Sequence, residues 1–300
     1  MKKRRNAFSM IELVFVIVIL AILGKFGVEF LVQAYNNFIF SSINTKLHSN
    51  SASAVEFIAT RLQDRIKESV IAKKTDGTFE LLSSATGGST ILEWVASDVD
   101  GFRGNSAALP NLPNWSGVVD FNLGSATTIV SPMTNTADVN TLIDILSYGD
   151  TNINDAALFF IGSNTYRTGY AWDGVAITDQ SQVMHPIRSG ANADTFYLPA
   201  GNTLVGETIY EYYKLSWTAY AIVHDPSTGD LWLHYDYQPW NGETYQFDKA
   251  GVPVKKALIM ENVDTFRYVS IGSLIKIQVC VKDELVASEV YSICKEKTIY

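Results

Sequence analysis

Cysteine is scarce in this 300-residue chain: it has two, Cys280 and Cys294, both near the C-terminus. Two cysteines cannot by themselves form a four-ligand zinc site. Their number and position suit one disulfide in an oxidising compartment. A bridge closing that loop would contribute about 3 kcal/mol in the chain-entropy view. Basic residues are also in deficit. The formal net charge is −8, and four of the 23 basic residues (Lys2, Lys3, Arg4, Arg5) fall in the first seven positions. Without those seven residues, 19 basic face 31 acidic residues, a balance of −12. A body that acidic excludes nucleic acid as an expected partner. Catalytic motifs are missing. The chain has no His-Glu-x-x-His, no Gly-x-Ser-x-Gly and no phosphate-cradling glycine loop, so neither an enzyme nor a cofactor is expected. Proline is absent from residues 8–74. Charged residues make up only 18% and hydrophobic residues 47%, which excludes a disordered chain and leaves enough apolar material for one large domain or two small ones.

What is present is concentrated at the N-terminus. Lys2-Lys3-Arg4-Arg5 precede a stretch, 8–23, that is apolar except for Ser9 and Glu12. Basic residues before an apolar segment stay cytoplasmic, so the remainder is exported. A secretory signal peptide fits the charge and the apolar run, but not a carboxylate at the start of its core or the lack of a small-x-small cleavage site. A plain membrane anchor also conflicts with Glu12. A carboxylate in the bilayer costs roughly 2.5–3.5 kcal/mol on insertion scales and is usually functional. The uninterrupted run 13–24 is also shorter than the roughly 20 residues a span prefers.

The stretch Ala7-Phe8-Ser9-Met10-Ile11-Glu12-Leu13, followed by ten apolar residues, resembles the cleavage and methylation motif of type IV pilin-like proteins. The resemblance implies a leader, 1–7, cut between Ala7 and Phe8. It also implies N-methylation of Phe8 and an assembly role for Glu12 at the fifth mature position. The physical reason is that a filament core buries a subunit's new amine and a neighbour's carboxylate together, and pairing relieves both desolvation costs and sets the register. Ala7 stands where the family usually has glycine, and the helix-kinking proline of many pilins is missing; Gly24 and Gly27 are the flexible positions instead. The implied partners are other pilins or pseudopilins, a prepilin peptidase and an inner-membrane assembly platform. The implied location is a single-pass inner-membrane protein with a periplasmic body, later built into a pilus or pseudopilus. The size of the body points to a minor subunit of a type II secretion system or type IV pilus, with a filament-tip adhesin or substrate-binding subunit as the alternative. Residues 257–281 are similar to the C-terminal part of the J-type pseudopilin and the W-type minor pilin. A C-terminal disulfide loop is common in such proteins.

The fold expected is α+β: one long helix over 8–74, membrane-spanning over about 8–31, packed on an antiparallel sheet body over 75–300. Val55, Ile58, Leu62, Ile66 and Val70 recur at spacings of three and four, an amphipathic stripe that Thr75-Asp76-Gly77 stops. A coiled-coil stalk over 44–73 is the alternative, though three turns fall short of a sustained heptad array. Residues 75–205 read as short strands joined by long loops, with short helices near 105–110 and 138–146. Residues 208–223 and 231–237 form a hairpin about the 224–230 turn, and strands follow at 263–271, 274–282 and 285–294.

Four further groups are candidates for chemistry. His224 and His234 flank the hairpin turn and could face each other to share a metal, with Asp225, Asp230 and Asp236 nearby; no third ligand is evident from the spacing, so no metal is expected and both read as ordinary strand residues. Asp98 and Asp100, or Asp150, Asn152, Asn154 and Asp155, offer alternating oxygen ligands of the kind calcium takes, but neither stretch completes an EF-hand, and Asx turns explain both. The dense aromatics from Tyr210 to Tyr245 suit a sheet core with cross-strand pairs, or else a platform for sugar or peptide.

Overall fold

The computed structural model of the protein describes residues 9–85, 88–163, 167–284 and 290–300. It is an α+β fold dominated by one helix, α1 (Met10–Gln63), of 54 residues. At ~1.5 Å per residue it is about 80 Å long. With no proline inside it, no backbone donor is lost and no kink is imposed. Its two halves have different environments. Every residue from 10 to 38 is exposed. In the second half Leu47, Ser51, Ala54, Val55, Ile58, Ala59 and Leu62 form a buried stripe.

The helix stops earlier than the expected 74. Asp64 caps it, and the chain is then captured by a neighbouring strand: Ser97 N–H donates to Asp64 O (2.8 Å) and Ile66 N–H to Val95 O (2.9 Å). The Ser69 hydroxyl closes a short 3₁₀ turn onto Ile66 O and accepts from Val95 N–H. Ile66 and Val70 continue the spacing of the stripe and are buried, yet they enter two different cores. A periodic stripe read along one line cannot register such a change of partner.

Six antiparallel strands make the main sheet, in the order β11-β10-β9-β3-β1-β2. They are β1 (Ile71–Lys73), β2 (Phe79–Leu81), β3 (Ile91–Val95), β9 (Ala219–Asp225), β10 (Asp230–Tyr237) and β11 (Lys255–Met260). A three-stranded meander of β12 (Val263–Ile271), β13 (Leu274–Glu284) and β14 (Val290–Ile299) lies against α1. The expected strand at 285–294 begins at Val290 among the described residues, and 285–289 lie outside them. The middle of the chain adds a β4 (Thr128–Val130)–β7 (Thr195–Tyr197) pair and a sheet of β6 (Met184–Pro186), β5 (Ala157–Phe160) and β8 (Tyr213–Ser216). It also holds α2 (Val99–Arg103) and α3 (Thr136–Ser147), the second close to the expected position and the first displaced from it.

Alternation along β3 shows how the core is divided. Leu92 and Trp94 face the buried half of α1, together with Ile222, Leu231 and the inner faces of β12–β14. Ile91 and Val95 face a second core under Trp172, Tyr237 and Trp240. A period of two sends neighbouring side chains to opposite faces, so one strand serves both. Glu93 also points into the second core. Lys73 and Glu93 are 3.2 Å apart with side chains 5% and 1% exposed. Lys73 also donates to Trp172 O (2.9 Å), and the Tyr237 hydroxyl donates to Glu93 (2.9 Å). Burial pushes the Glu93 carboxyl up, and Lys73 opposes that shift.

Removing one member of a buried pair strands the other charge without a partner. Lys73→Met is therefore expected to lower unfolding stability by about 3–5 kcal/mol, and Lys73→Met with Glu93→Gln to recover most of that loss. Urea denaturation of the two variants against wild type measures both.

Candidate functional site

Two regions carry functional candidates: the start of α1 and the surface where α1 ends. At the start, Ser9 is the N-cap and Glu12 is the third helical residue. Glu12 N–H donates to Ser9 Oγ (3.3 Å), while Ser9 N–H and the Ser9 hydroxyl both donate to Glu12 Oε2 (3.1 Å each). This is a capping box, in which each residue satisfies a backbone donor of the other. The Ser-x-x-Glu spacing signals it in the sequence, so Ser9 is a participant that the motif reading overlooked. Ala7 and Phe8, the proposed cleavage pair, lie outside the described residues.

The helix has a mean hydropathy of 2.5 over its most apolar 18-residue window, none of it buried. Among the described residues, one helix is thus long and apolar enough to cross a membrane. Phe15, Phe26, Phe30 and Phe38 are all more than 60% exposed. Only an apolar surround desolvates such side chains, each contributing about 1.5–3 kcal/mol on full burial.

Cys280 and Cys294 stand opposite each other on β13 and β14 and are bridged, with Cα atoms 4.0 Å apart. The bridge fixes the register of the hairpin that packs on the buried half of α1.

The two hairpin histidines are not brought together. A four-residue connection pairs Asp225 with Asp230, so His224 lies opposite Leu231 and His234 opposite Ala221. Positions 231 and 234 differ in parity, which places the imidazoles on opposite faces. His224 bonds Val263 O (3.0 Å) and His234 bonds Tyr245 O (2.7 Å). The acidic clusters are committed to other partners. Asp98 caps α2 through Gly101 N–H (3.1 Å) and accepts from Trp115 Nε1 (2.9 Å); burial pushes its carboxyl up and those bonds oppose it. Asp100 is exposed in the first turn of α2. Asp150 pairs with Lys255 (2.7 Å). Asp155 forms a capping box with Asn152, and Asn154 O accepts from Arg188. Among the described residues no three or more His, Cys, Asp or Glu side chains converge on a metal position. The aromatics are mainly core: Tyr213, Trp217, Tyr237, Trp240 and Tyr245 are buried, and Tyr212 is exposed.

The end of α1 borders a cleft of about 520 Å³. Its walls are α2 with Phe102 and Arg103, the 115–118 segment, and the 212–214 segment. Asp98 builds it, holding both the α2 N-terminus and the Trp115 indole. Gly101 is required there, because a Cβ would stand 2.1 Å from Asp98 Oδ2 and 2.8 Å from Trp115 Nε1. The Phe102 ring covers Trp115 at 4.9 Å. Compared with models of protein families, with curated proteins and with solved structures, the chain matches none.

A buried histidine not singled out by the sequence adds a pH dependence. His185 is packed edge-on against Phe160 (4.9 Å) and bonded to Gln180 (3.1 Å), and burial pushes it down to about 4. The unfolded chain takes up that proton near pH 6.5. Its contribution is therefore full above about 6.5 and is lost as pH falls toward 4. Stability should drop by about 2 kcal/mol between pH 7 and pH 5 on this account. The difference between wild type and His185→Asn should shrink by that amount over the same range in denaturant titrations.

Proposed function

We propose that the chain is a minor pilin or pseudopilin, cleaved after Ala7 and assembled into a filament through the exposed half of α1. The observation that carries this reading is a continuous helix that leaves one half uncovered and packs the other into a folded body. A simple anchor needs only apolar length. This segment adds a basic leader, a carboxylate four residues beyond Phe8, and a helical lever rigidly joined to the body.

Glu12 is the residue on which assembly turns. Its capping box satisfies the carboxylate within its own chain, which lowers the cost of placing it in an apolar surround. In a filament, the cleaved amine of Phe8 in a neighbouring subunit is the stronger partner, because charge–charge attraction grows as water is excluded. The box then holds the carboxylate in place until that amine arrives. The acidic body is consistent with an exported subunit that meets proteins rather than nucleic acid.

Glu12→Ala should still insert in the membrane and lose its leader, but should enter filaments at a small fraction of the wild-type level. Immunoblots of membrane and sheared-filament fractions measure both. Normal incorporation of the variant would contradict the pairing mechanism.

A further inference from the structure

The cleft at the end of α1 has the composition of a ligand site, independently of whether the protein assembles. Three features stand out. The first is exposed apolar surface: Phe102, Ile161 and Tyr212 all border the cleft at about half exposure (49%, 49% and 53%). The second is cation excess. Arg65, Arg103 and Lys214 line the cleft against one carboxylate, Asp64, on a chain whose net charge is −8. The third is that these cations form no short ion pair, Glu68 and Asp64 acting on Lys214 only at longer range. Among the described residues, none of the three is in an ion pair, and the side chains of Arg103 and Lys214 make no hydrogen bond. Arg65 is only 2% exposed and bonds carbonyl oxygens of Leu62 and Ser273, and its Nε has no partner.

Lys214 is half-buried beside the apolar recess and Arg103 is exposed at its rim; taking a cation out of water is costly unless an anion reaches it. The volume, about 520 Å³, lies within the range of ligand clefts. The lining decides the class. Its hydroxyls are few, and Ser116 is already bonded to Ser131 (3.1 Å). A saccharide would bury a ring of hydroxyls there with few partners. A large apolar side chain flanked by carboxylates meets both requirements: the ring seats on Phe102 and Tyr212, and the acids reach Arg103 and Lys214.

We infer that this cleft binds an acidic peptide segment, taking one aromatic or large aliphatic side chain into the recess and its neighbouring carboxylates onto Arg103 and Lys214. Asp98 is a positioning residue for the site, since it holds α2 and Trp115 in place.

The test uses the full chain in detergent micelles, with ligand-observed NMR and three probes: acetyl-Glu-Phe-Glu-amide, acetyl-Lys-Phe-Lys-amide and a hexuronate trisaccharide. The acidic peptide should bind with Kd of about 1 mM or tighter and weaken as salt is added. Arg103→Glu with Lys214→Glu should weaken it at least tenfold and make the basic peptide the better ligand. Neither side chain has a short ion pair or hydrogen bond to lose, but a glutamate at 214 faces Glu68 and Asp64, so the melting temperature should fall modestly with the fold retained. Phe102→Ala should weaken both peptides on their respective proteins. Equal binding of the two peptides by the wild type, a charge reversal without effect, or a preference for the trisaccharide would overturn the inference.

Discussion

More than two dozen consecutive helical residues, 10–38, have no covering from the rest of the described chain, and they carry half of its large exposed apolar side chains. Water is a poor solvent for that surface, and the cost at about 25 cal/mol per Å² is far larger than any single interaction elsewhere in the molecule. The covering must come from outside the chain, from lipid, from like helices, or from each in turn. The remaining architecture is compatible with such an exchange. The helix is unbroken, so whatever binds its first half holds the body at a fixed distance. Its second half is locked by Ile58 and Leu62 in a core shared by two sheets.

That core depends on the C-terminal meander, whose register the Cys280–Cys294 bridge sets. Val279, Val281 and Ile293 lie beside the bridge and point to α1. The second core, behind the main sheet, is organised differently. It surrounds a buried Lys73–Glu93 pair with aromatic rings, and the Tyr237 hydroxyl donates to Glu93. A pair of this kind adds little net stability but penalises alternative packings that would leave either charge alone.

Local signals in the sequence were sufficient where one element meets one partner. The α1 stripe through Leu62 was legible because its 3.6-residue period survives in the fold. So were the hairpin at Asp225–Asp230, the β12–β13 pair and the Cys280–Cys294 bridge. Four features were not legible. The helix ends at Gln63 because β3 captures Asp64 and Ile66, a tertiary event with no stop signal in the chain. The histidines separate because the turn is centred one and a half residues from the midpoint between them, and a small shift of register reverses a face. Asp98 caps α2 as its Asx-type reading allows, but its bond to Trp115, far along the chain, has no local signal. The strands of 75–205 are three to five residues long, too short for periodicity to fix their ends.

We propose that the apolar half of α1 is an assembly segment exposed by cleavage of residues 1–7, rather than a permanent signal or anchor. Intact-mass measurement of the protein isolated from membranes tests it most directly. The account predicts a chain that begins at Phe8, carries one added methyl group at its amine, and has lost two hydrogens to the disulfide. A chain that keeps residues 1–7, or one cut beyond the apolar segment, would contradict it.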